Sequence, residues 1–223
     1  MNIAIIPARQ NSKRIKNKNK RLFLNKPIIE YAIESAEKSE LFDSIVISTD
    51  DPEIQAHYKC QAWIIGRSRE AASDTATLTE VIQEALMQLE DGGICPDNIC
   101  VILPCAVFID SDDLLLAYDD LEYNDCVISV CEYSHPTARE LGYIDNIFQM
   151  IRPEFENKRT QDIERSFYDA GQFYWLNVKA FKEQQKIFMD RLSPYIIEAI
   201  DIDTEEDWTK AEAICGHTRI LEG

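Results

Sequence analysis

Short apolar runs alternate with longer amphipathic stretches over the first part of the chain. The short runs predict buried β-strands, because a strand covered on both faces shows no polar alternation. In the longer stretches apolar residues recur every three or four positions, which predicts helices packed on a core. The predicted strands are Ile3–Ile6, Ser44–Ser48, Ala62–Ile65, Asn98–Leu103 and Cys126–Val130. The predicted helices are Pro27–Lys38, Pro52–Lys59, Thr77–Leu89 and Asp110–Leu121.

This alternation predicts an α/β fold with a mostly parallel sheet covered by helices. Ligands of such folds bind beyond the carboxyl ends of the strands. Four segments follow predicted strand ends and should therefore rim one pocket: Pro7–Arg21, Thr49–Asp51, Gly66–Thr77 and Pro104–Ile109.

The regular alternation stops between Glu132 and Arg165, where prolines and charged residues interrupt the apolar pattern. We interpret residues 132–165 as an arm inserted into one sheet domain that spans residues 1–223, and as a packing or dimerisation element. Strands Phe173–Leu176 and Tyr195–Ile200 and a helix Glu205–Ile214 are predicted to complete the domain.

Composition is that of a globular protein, with 45% hydrophobic residues in a chain of 223. No apolar run approaches the roughly 18 residues of a membrane span. The apolar stretch at the N-terminus is too short for a signal peptide and has no basic residue before it, so we expect a cytoplasmic protein without a membrane partner. The seven cysteines lie mostly in apolar runs, which favours reduced, buried thiols. The sequence contains no C-x-x-C pair, which argues against a zinc site.

Charge is distributed unevenly along the chain. The formal net charge is −17, which argues against nucleic acid as a partner. The segment Arg9–Arg21 nevertheless holds seven basic residues and no acidic ones. A local positive field in an anionic protein indicates a small, highly charged anion as ligand.

The basic segment directly follows the first predicted strand. Backbone N–H groups at such a turn can form an anion-binding nest, an arginine can grip phosphate oxygens in a fork, and a lysine supplies a mobile charge. A solvated basic loop is the alternative interpretation, but the position after a strand and the contrast in charge favour phosphate binding.

A second candidate is the acidic string Asp201-Ile202-Asp203-Thr204-Glu205-Glu206-Asp207. In an extended strand Asp201 and Asp203 project from the same face, and two hard carboxylates suit Mg²⁺ together with substrate phosphates. Thr204 then fits as the N-cap of a following helix, with Asp207 three residues on. The alternative is that all these acids lie at the N-terminus of that helix and favour its dipole. The residue types alone do not decide between the two.

Several strings resemble the CMP-sialic acid synthetase family of cytidylyltransferases, whose fold is a three-layer, Rossmann-like nucleotidyltransferase sheet. They are Ile6-Pro7-Ala8-Arg9, Ser12-Lys13-Arg14-Ile15, Lys18-Asn19, Ser48-Thr49-Asp50, Arg67 to Ala76, and Asp201-Ile202-Asp203-Thr204. The chain departs from the family at Asn11, where many members carry Gly, although Asn tolerates positive φ.

The resemblance implies CTP binding by Ala8, Arg9, Ser12, Lys13, Asn19, Arg67 and Ala76. It implies Mg²⁺ on Asp201 and Asp203, and catalytic roles for Arg9, Lys13 and Asp203.

Two further strings resemble the pseudaminic acid subgroup of that family: Arg159-Thr160-Gln161-Asp162 and Asp169-Ala170-Gly171-Gln172-Phe173-Tyr174-Trp175. The resemblance implies that Pro104, Tyr168, Gln172 and Phe173 bind the sugar. It implies transfer of CMP from CTP to pseudaminic acid, by a homodimer. Activation of N-acetylneuraminic acid, legionaminic acid or Kdo, or a non-catalytic CTP-binding regulator, are the alternatives.

Overall fold

A seven-stranded sheet forms the centre of the protein. The computed structural model describes residues 1–222, and the side chains of residues 1–217. Within them the sheet strands are β1 (Asn2–Pro7), β2 (Ser44–Thr49), β3 (Trp63–Gly66), β4 (Asn98–Ile102), β5 (Cys126–Glu132), β6 (Phe167–Asn177) and β7 (Leu192–Ile196). Their order is β7-β5-β6-β4-β1-β2-β3, and β6 runs antiparallel to both of its neighbours while the other pairs are parallel. The predicted mixed α/β sheet is confirmed.

The helices cover both faces of this sheet. They are α1 (Ile29–Ser39), α2 (Pro52–Tyr58), α3 (Leu78–Asp91), α4 (Ser111–Leu121), α5 (Val178–Gln184) and α6 (Glu205–Glu222). One core joins α1, α2 and α4 to the sheet through residues such as Ala32, Ile54 and Leu114. The opposite core uses Leu86 of α3 and Phe181 of α5. The result is a helix–sheet–helix sandwich whose strand ends are free to carry a site.

A third core brings the basic N-terminal segment beneath α6. The ring of Trp208 in α6 meets that of Phe23 at 5.4 Å between centroids, and Ile15 and Ile202 are both 1% exposed in the same cluster. Phe23 belongs to a small hairpin formed by Leu22–Phe23 and Lys26–Pro27. Because Ile202 lies between Asp201 and Asp203, its burial fixes the acidic string next to the basic segment.

Three elements in the last third of the chain differ from prediction. Strand β6 begins at Phe167 instead of Phe173, because a bulge between Asp169 and Tyr174 hides its period. At the bulge Gly171 adopts φ 60°, a left-handed conformation that suits glycine. Helix α5 was not predicted. Strand β7 spans Leu192–Ile196, so it begins three residues before the predicted Tyr195 and ends four residues before the predicted Ile200.

The segment between β5 and β6 lies outside the sheet. It contains a hairpin of strands Leu141–Ile144 and Ile147–Met150, flanked by short 3-10 turns. At its base Arg165 donates to Glu132 at 2.6 Å, which joins the two ends of the segment. Within the described residues no helix has the length and apolarity to cross a bilayer.

Candidate functional site

A cavity of about 340 Å³ opens at the carboxyl edge of the sheet. Three of the four predicted rim segments line it, through residues such as Pro7, Arg67 and Pro104, and Asp203 closes it from the start of α6. The fourth segment, Thr49–Asp51, supports the site from behind: Asp50 accepts from the Gln10 N–H at 2.7 Å. The basic loop and Asp203 therefore line the same cavity.

The basic loop is fixed at both ends. The Ala8 N–H donates to the Ser48 carbonyl at 2.9 Å, extending the pairing of β1 with β2. Asn19, 8% exposed, donates through Nδ2 to the Arg9 carbonyl at 3.0 Å. Ala8 is thus buried and committed to the sheet, and Asn19 shapes the turn while also lining the cavity.

The middle of this loop presents unused donors. Among the described residues, the backbone N–H groups of residues 11–14 donate to no acceptor. The side chains of Arg9, Ser12 and Lys13 line the cavity beside them. Free N–H groups together with an arginine fork and a lysine charge make an anion-binding surface.

A carboxylate from another loop faces these cations. Asp74 accepts from Arg9 Nη1 at 2.9 Å through Oδ1, and its Oδ2 pairs with Lys13. The Lys13 ammonium, followed by Arg9, holds the pKa of Asp74 below its ordinary value. Asp74 therefore remains ionised and neutralises part of the positive charge.

The second acidic group sits across the cavity. Asp203 pairs with Arg14 at 2.7 Å and lies 3.8 Å from the Lys18 ammonium. Partial desolvation and the adjacent Asp203 carboxylate raise the pKa of Asp201. Two neighbouring carboxylates repel each other when both are ionised, so binding of a cation beside them is favourable.

The donor set at Asp201 and Asp203 fits Mg²⁺. Mg²⁺ is bound by one or two protein carboxylates, and substrate phosphates and waters supply its remaining ligands. The described residues contain no group of three or more His, Cys, Asp or Glu side chains that could hold a metal ion. Binding by two carboxylates does not need such a group. The predicted helix cap also holds: Thr204 Oγ1 accepts from the Asp207 N–H at 3.2 Å.

Arg67 is held in the cavity wall at the end of β3. Its Nε is buried and has no hydrogen-bond partner within the described residues. Burial lowers the pKa of Arg67, partly offset by the Asp50 carboxylate. Ala76, from the same loop, also lines the cavity. A buried donor without a partner costs free energy, so Arg67 is poised to bind an acceptor on a ligand.

The four residues expected at a sugar site are scattered. Pro104 lines the cavity. Tyr168 is the second residue of strand β6 and is 41% exposed, with its ring 4.9 Å from that of Tyr133. Gln172 is 1% exposed and donates to the Ala170 carbonyl at 3.2 Å. Phe173 is fully buried against Tyr195. Gln172 and Phe173 therefore belong to the folded interior and not to the cavity wall.

Three of the charged residues that line the cavity were not given roles from sequence: Arg14, Lys18 and Asp74. Arg14 and Lys18 are part of the same basic run, so their charge was visible but not their contact with Asp203. Asp74 carried no such signal, because an acid in a polar loop is typical of a helix cap.

Comparison with known sequences gives a consistent result. A family model described as cytidylyltransferase matches residues 3–217. The chain is 34% identical over 216 residues to a pseudaminic acid cytidylyltransferase of Campylobacter jejuni, covering 92% of each chain. It is 27% identical to a CMP-N,N'-diacetyllegionaminic acid synthase of Legionella pneumophila, covering 95% of each.

Comparison with solved structures agrees on the fold. A CMP:2-keto-3-deoxy-manno-octonic acid synthetase, solved in complex with CTP, superposes with a TM-score of 0.70 over 97% of this chain and 99% of that one. The identity is 15%, so this likeness concerns the architecture.

Proposed function

The chain belongs to the cytidylyltransferase family, and from this premise we propose that it joins CMP from CTP to pseudaminic acid and releases pyrophosphate. The observation that carries the proposal is the convergence of Lys13 and Asp203 on one cavity. A cationic loop for a polyphosphate and a carboxylate pair for its counter-ion are the two parts that nucleotidyl transfer needs.

In the proposed reaction the anomeric hydroxyl of the sugar attacks the α-phosphorus of CTP. A new bond forms between that oxygen and the α-phosphorus as the bond from the α-phosphorus to the bridging oxygen of the β-phosphate breaks. Pyrophosphate leaves with the negative charge, and the proton of the hydroxyl passes to water. Arg9 and Lys13 bind the β- and γ-phosphates and stabilise that charge, with Ser12 and the free N–H groups of residues 11–14 as further donors. These residues act by position and charge, without forming a covalent bond.

Arg67 is proposed to bind the cytosine, helped by Asn19, which shapes the loop, and by the backbone at Ala76. Supporting evidence is the partnerless Nε of Arg67 in the cavity wall. Asp201 and Asp203 would hold Mg²⁺, which when bound neutralises phosphate charge and orients the triphosphate. Pro104 and Tyr168 remain the proposed sugar contacts.

Pseudaminic acid is favoured over related sugars by the similarity at 34% identity and by the apolar character of the loop after β4. Leu103, Pro104 and Cys105 line that side of the cavity. An apolar wall can meet the terminal methyl of pseudaminic acid, whereas a hydroxymethyl group there would lose hydrogen bonds to water.

The test supplies purified protein with CTP and Mg²⁺ and offers each sugar acid in turn, with pyrophosphate release as the readout. We expect pseudaminic acid to give a kcat/KM about 10-fold or more above that of N-acetylneuraminic acid, legionaminic acid or Kdo, since one group in an apolar pocket discriminates by about that factor. Preference for another sugar would contradict the assignment of pseudaminic acid as the substrate. CTP binding without turnover of any sugar would contradict the proposal that the protein is an enzyme.

We further propose that the protein works in the cytoplasm as a homodimer. The seven cysteines are all free thiols, which supports a reducing compartment. Dimerisation is supported by the hairpin between β5 and β6, where Tyr143 is 77% exposed, Ile147 63% and Phe148 60%. Such a cluster of exposed apolar side chains is typical of a protein interface.

Replacing Phe148 by aspartate is expected to convert the dimer to a monomer, because a charge at the centre of an apolar interface is desolvated without a partner. Light scattering after size-exclusion chromatography would measure the mass. Tyr123→Asp is the matched control, since Tyr123 is 72% exposed at the end of α4 and outside the hairpin. A variant at Phe148 that stays dimeric, or a wild type that is monomeric, contradicts the expectation.

A further inference from the structure

Asp74 bridges the two cations that face the cavity from the basic loop. Its two oxygens contact Arg9 and Lys13 separately, as two oxygens of a phosphate group would. The side chains are open to solvent, with exposed fractions of 35% for Arg9, 74% for Lys13 and 42% for Asp74. The bridge can therefore open by rotation of one short side chain, without exposing any core.

Other carboxylates that pair with this loop differ from Asp74. Asp51 is 1% exposed and binds Lys20 at 2.8 Å as part of the scaffold behind the loop. Asp203 belongs to the proposed metal pair. Of the carboxylates that line the cavity within the described residues, Asp74 alone contacts Arg9 and Lys13.

The backbone around Asp74 does not depend on the bridge. The Ala72 N–H donates to the Ser68 carbonyl at 2.9 Å, and the Ser73 N–H to that of Glu70 at 3.1 Å. The base of the loop is fixed to α3, where Glu84 accepts from the Ser68 N–H at 2.8 Å. Removal of the Asp74 charge should therefore leave the loop in place.

We infer that Asp74 is an internal competitor for the polyphosphate site: its carboxylate holds Arg9 and Lys13 together between turnovers and takes them back as pyrophosphate leaves. The inference rests on the proposed function, since it requires that the two cations bind the β- and γ-phosphates. It adds a residue whose role is to weaken product binding. No bond is made or broken; one set of ion pairs is exchanged for another.

This arrangement solves two opposing electrostatic problems. Without a counter-charge, two neighbouring cations repel each other and fluctuate. With a permanently free pair of cations, pyrophosphate, which carries several negative charges, would dissociate slowly. Exposed ion pairs contribute little individually, so CTP can displace a single exposed carboxylate. Because that carboxylate competes with pyrophosphate for the two cations, it also speeds release of pyrophosphate.

The test compares Asp74→Asn with Glu70→Gln. Glu70 is a second exposed acid in the same loop, and it has no ion pair with any other described residue. Calorimetry in Mg²⁺ buffer would measure binding of inorganic pyrophosphate and of CMP to each protein. We expect Asp74→Asn to bind pyrophosphate about three- to tenfold more tightly, the range of one or two exposed ion pairs, with CMP affinity unchanged. Glu70→Gln and Asp74→Glu should resemble the wild type.

Unchanged or weaker pyrophosphate binding by Asp74→Asn would overturn the inference, as would an equal gain for CMP or for Glu70→Gln. Circular dichroism of each variant checks the fold. Failure of the proposed function has a separate signature, in which the wild type binds neither CTP nor pyrophosphate.

Discussion

Replacing Asp201 and Asp203 together by asparagine is expected to reduce turnover of CTP by about 10³-fold or more, since loss of one group that stabilises transition-state charge costs about 10²–10³. Asparagine keeps the size of each side chain but removes the negative charge that the proposed Mg²⁺ requires. Pyrophosphate release from CTP and pseudaminic acid, followed over a range of Mg²⁺ concentrations, measures the effect.

The fold is expected to survive this change. Ile202, between the two acids, is 1% exposed and keeps its place in the core beneath α6. The N-terminal cap of α6 uses Thr204 and Asp207, which are not altered. Thermal unfolding should therefore stay cooperative, and CTP should still protect the variant weakly through the basic loop.

Glu206→Gln is the matched control, because Glu206 is an exposed acid that pairs with Lys210 at 2.7 Å, one turn further along α6. It removes one negative charge from the same segment without touching the cavity, and should retain near-normal activity. A double variant with wild-type turnover would show that the carboxylate pair does not hold the metal.

The alternation of apolar runs was sufficient to predict the sheet and most of its helices. Strands such as β1 and β4 are buried on both faces, so their sequences are continuously apolar and unambiguous. The cationic loop was also predictable, since its charge contrasts with the rest of the chain and it directly follows β1. Parallel strands then bring their loops to one edge, which places Arg67 and Pro104 beside it without further information.

Strand β6 shows where sequence reasoning fell short. Its aromatic string was predicted to contribute to the sugar site because of a resemblance, yet Phe173 faces the core and the Gln172 amide is used internally. The bulge at Gly171 shifts the register, so the alternation of faces cannot be followed from Tyr168 to Phe173. Only the start of β6, which runs antiparallel, reaches the carboxyl edge of its neighbours.

Ion pairs between loops that are distant in the chain could not be predicted from the sequence either. Asp74 and Lys13 are separated by many residues and meet because β1 and β3 end at the same edge of the sheet. Any of the many acids in this chain could have paired with the basic loop. Which one does depends on the path of the loop after β3, which hydrogen bonds within the loop determine.

Replacing Arg9 by glutamine is expected to lower kcat/KM for CTP by about 10²-fold, the cost of removing one preorganised donor to developing charge. Arg9 lines the cavity, and its carbonyl is fixed by Asn19, so the guanidinium has a defined position from which to bind a phosphate. Steady-state kinetics with CTP as the varied substrate would measure the loss.

Lys16→Gln is the control that distinguishes the position of a cation in the loop from its charge alone. Lys16 is exposed in the same loop and is not among the residues that line the cavity, so the substitution removes one positive charge without removing a contact. It should change kcat/KM by only about twofold, and this small effect should disappear at about 1 M salt, where exposed charges are screened within about 3 Å. The loss in Arg9→Gln should persist at high salt, because a direct hydrogen-bonded contact is screened much less. If both variants lose activity equally and salt removes both losses, the loop attracts CTP only through its field, and Arg9 has no specific role in the reaction.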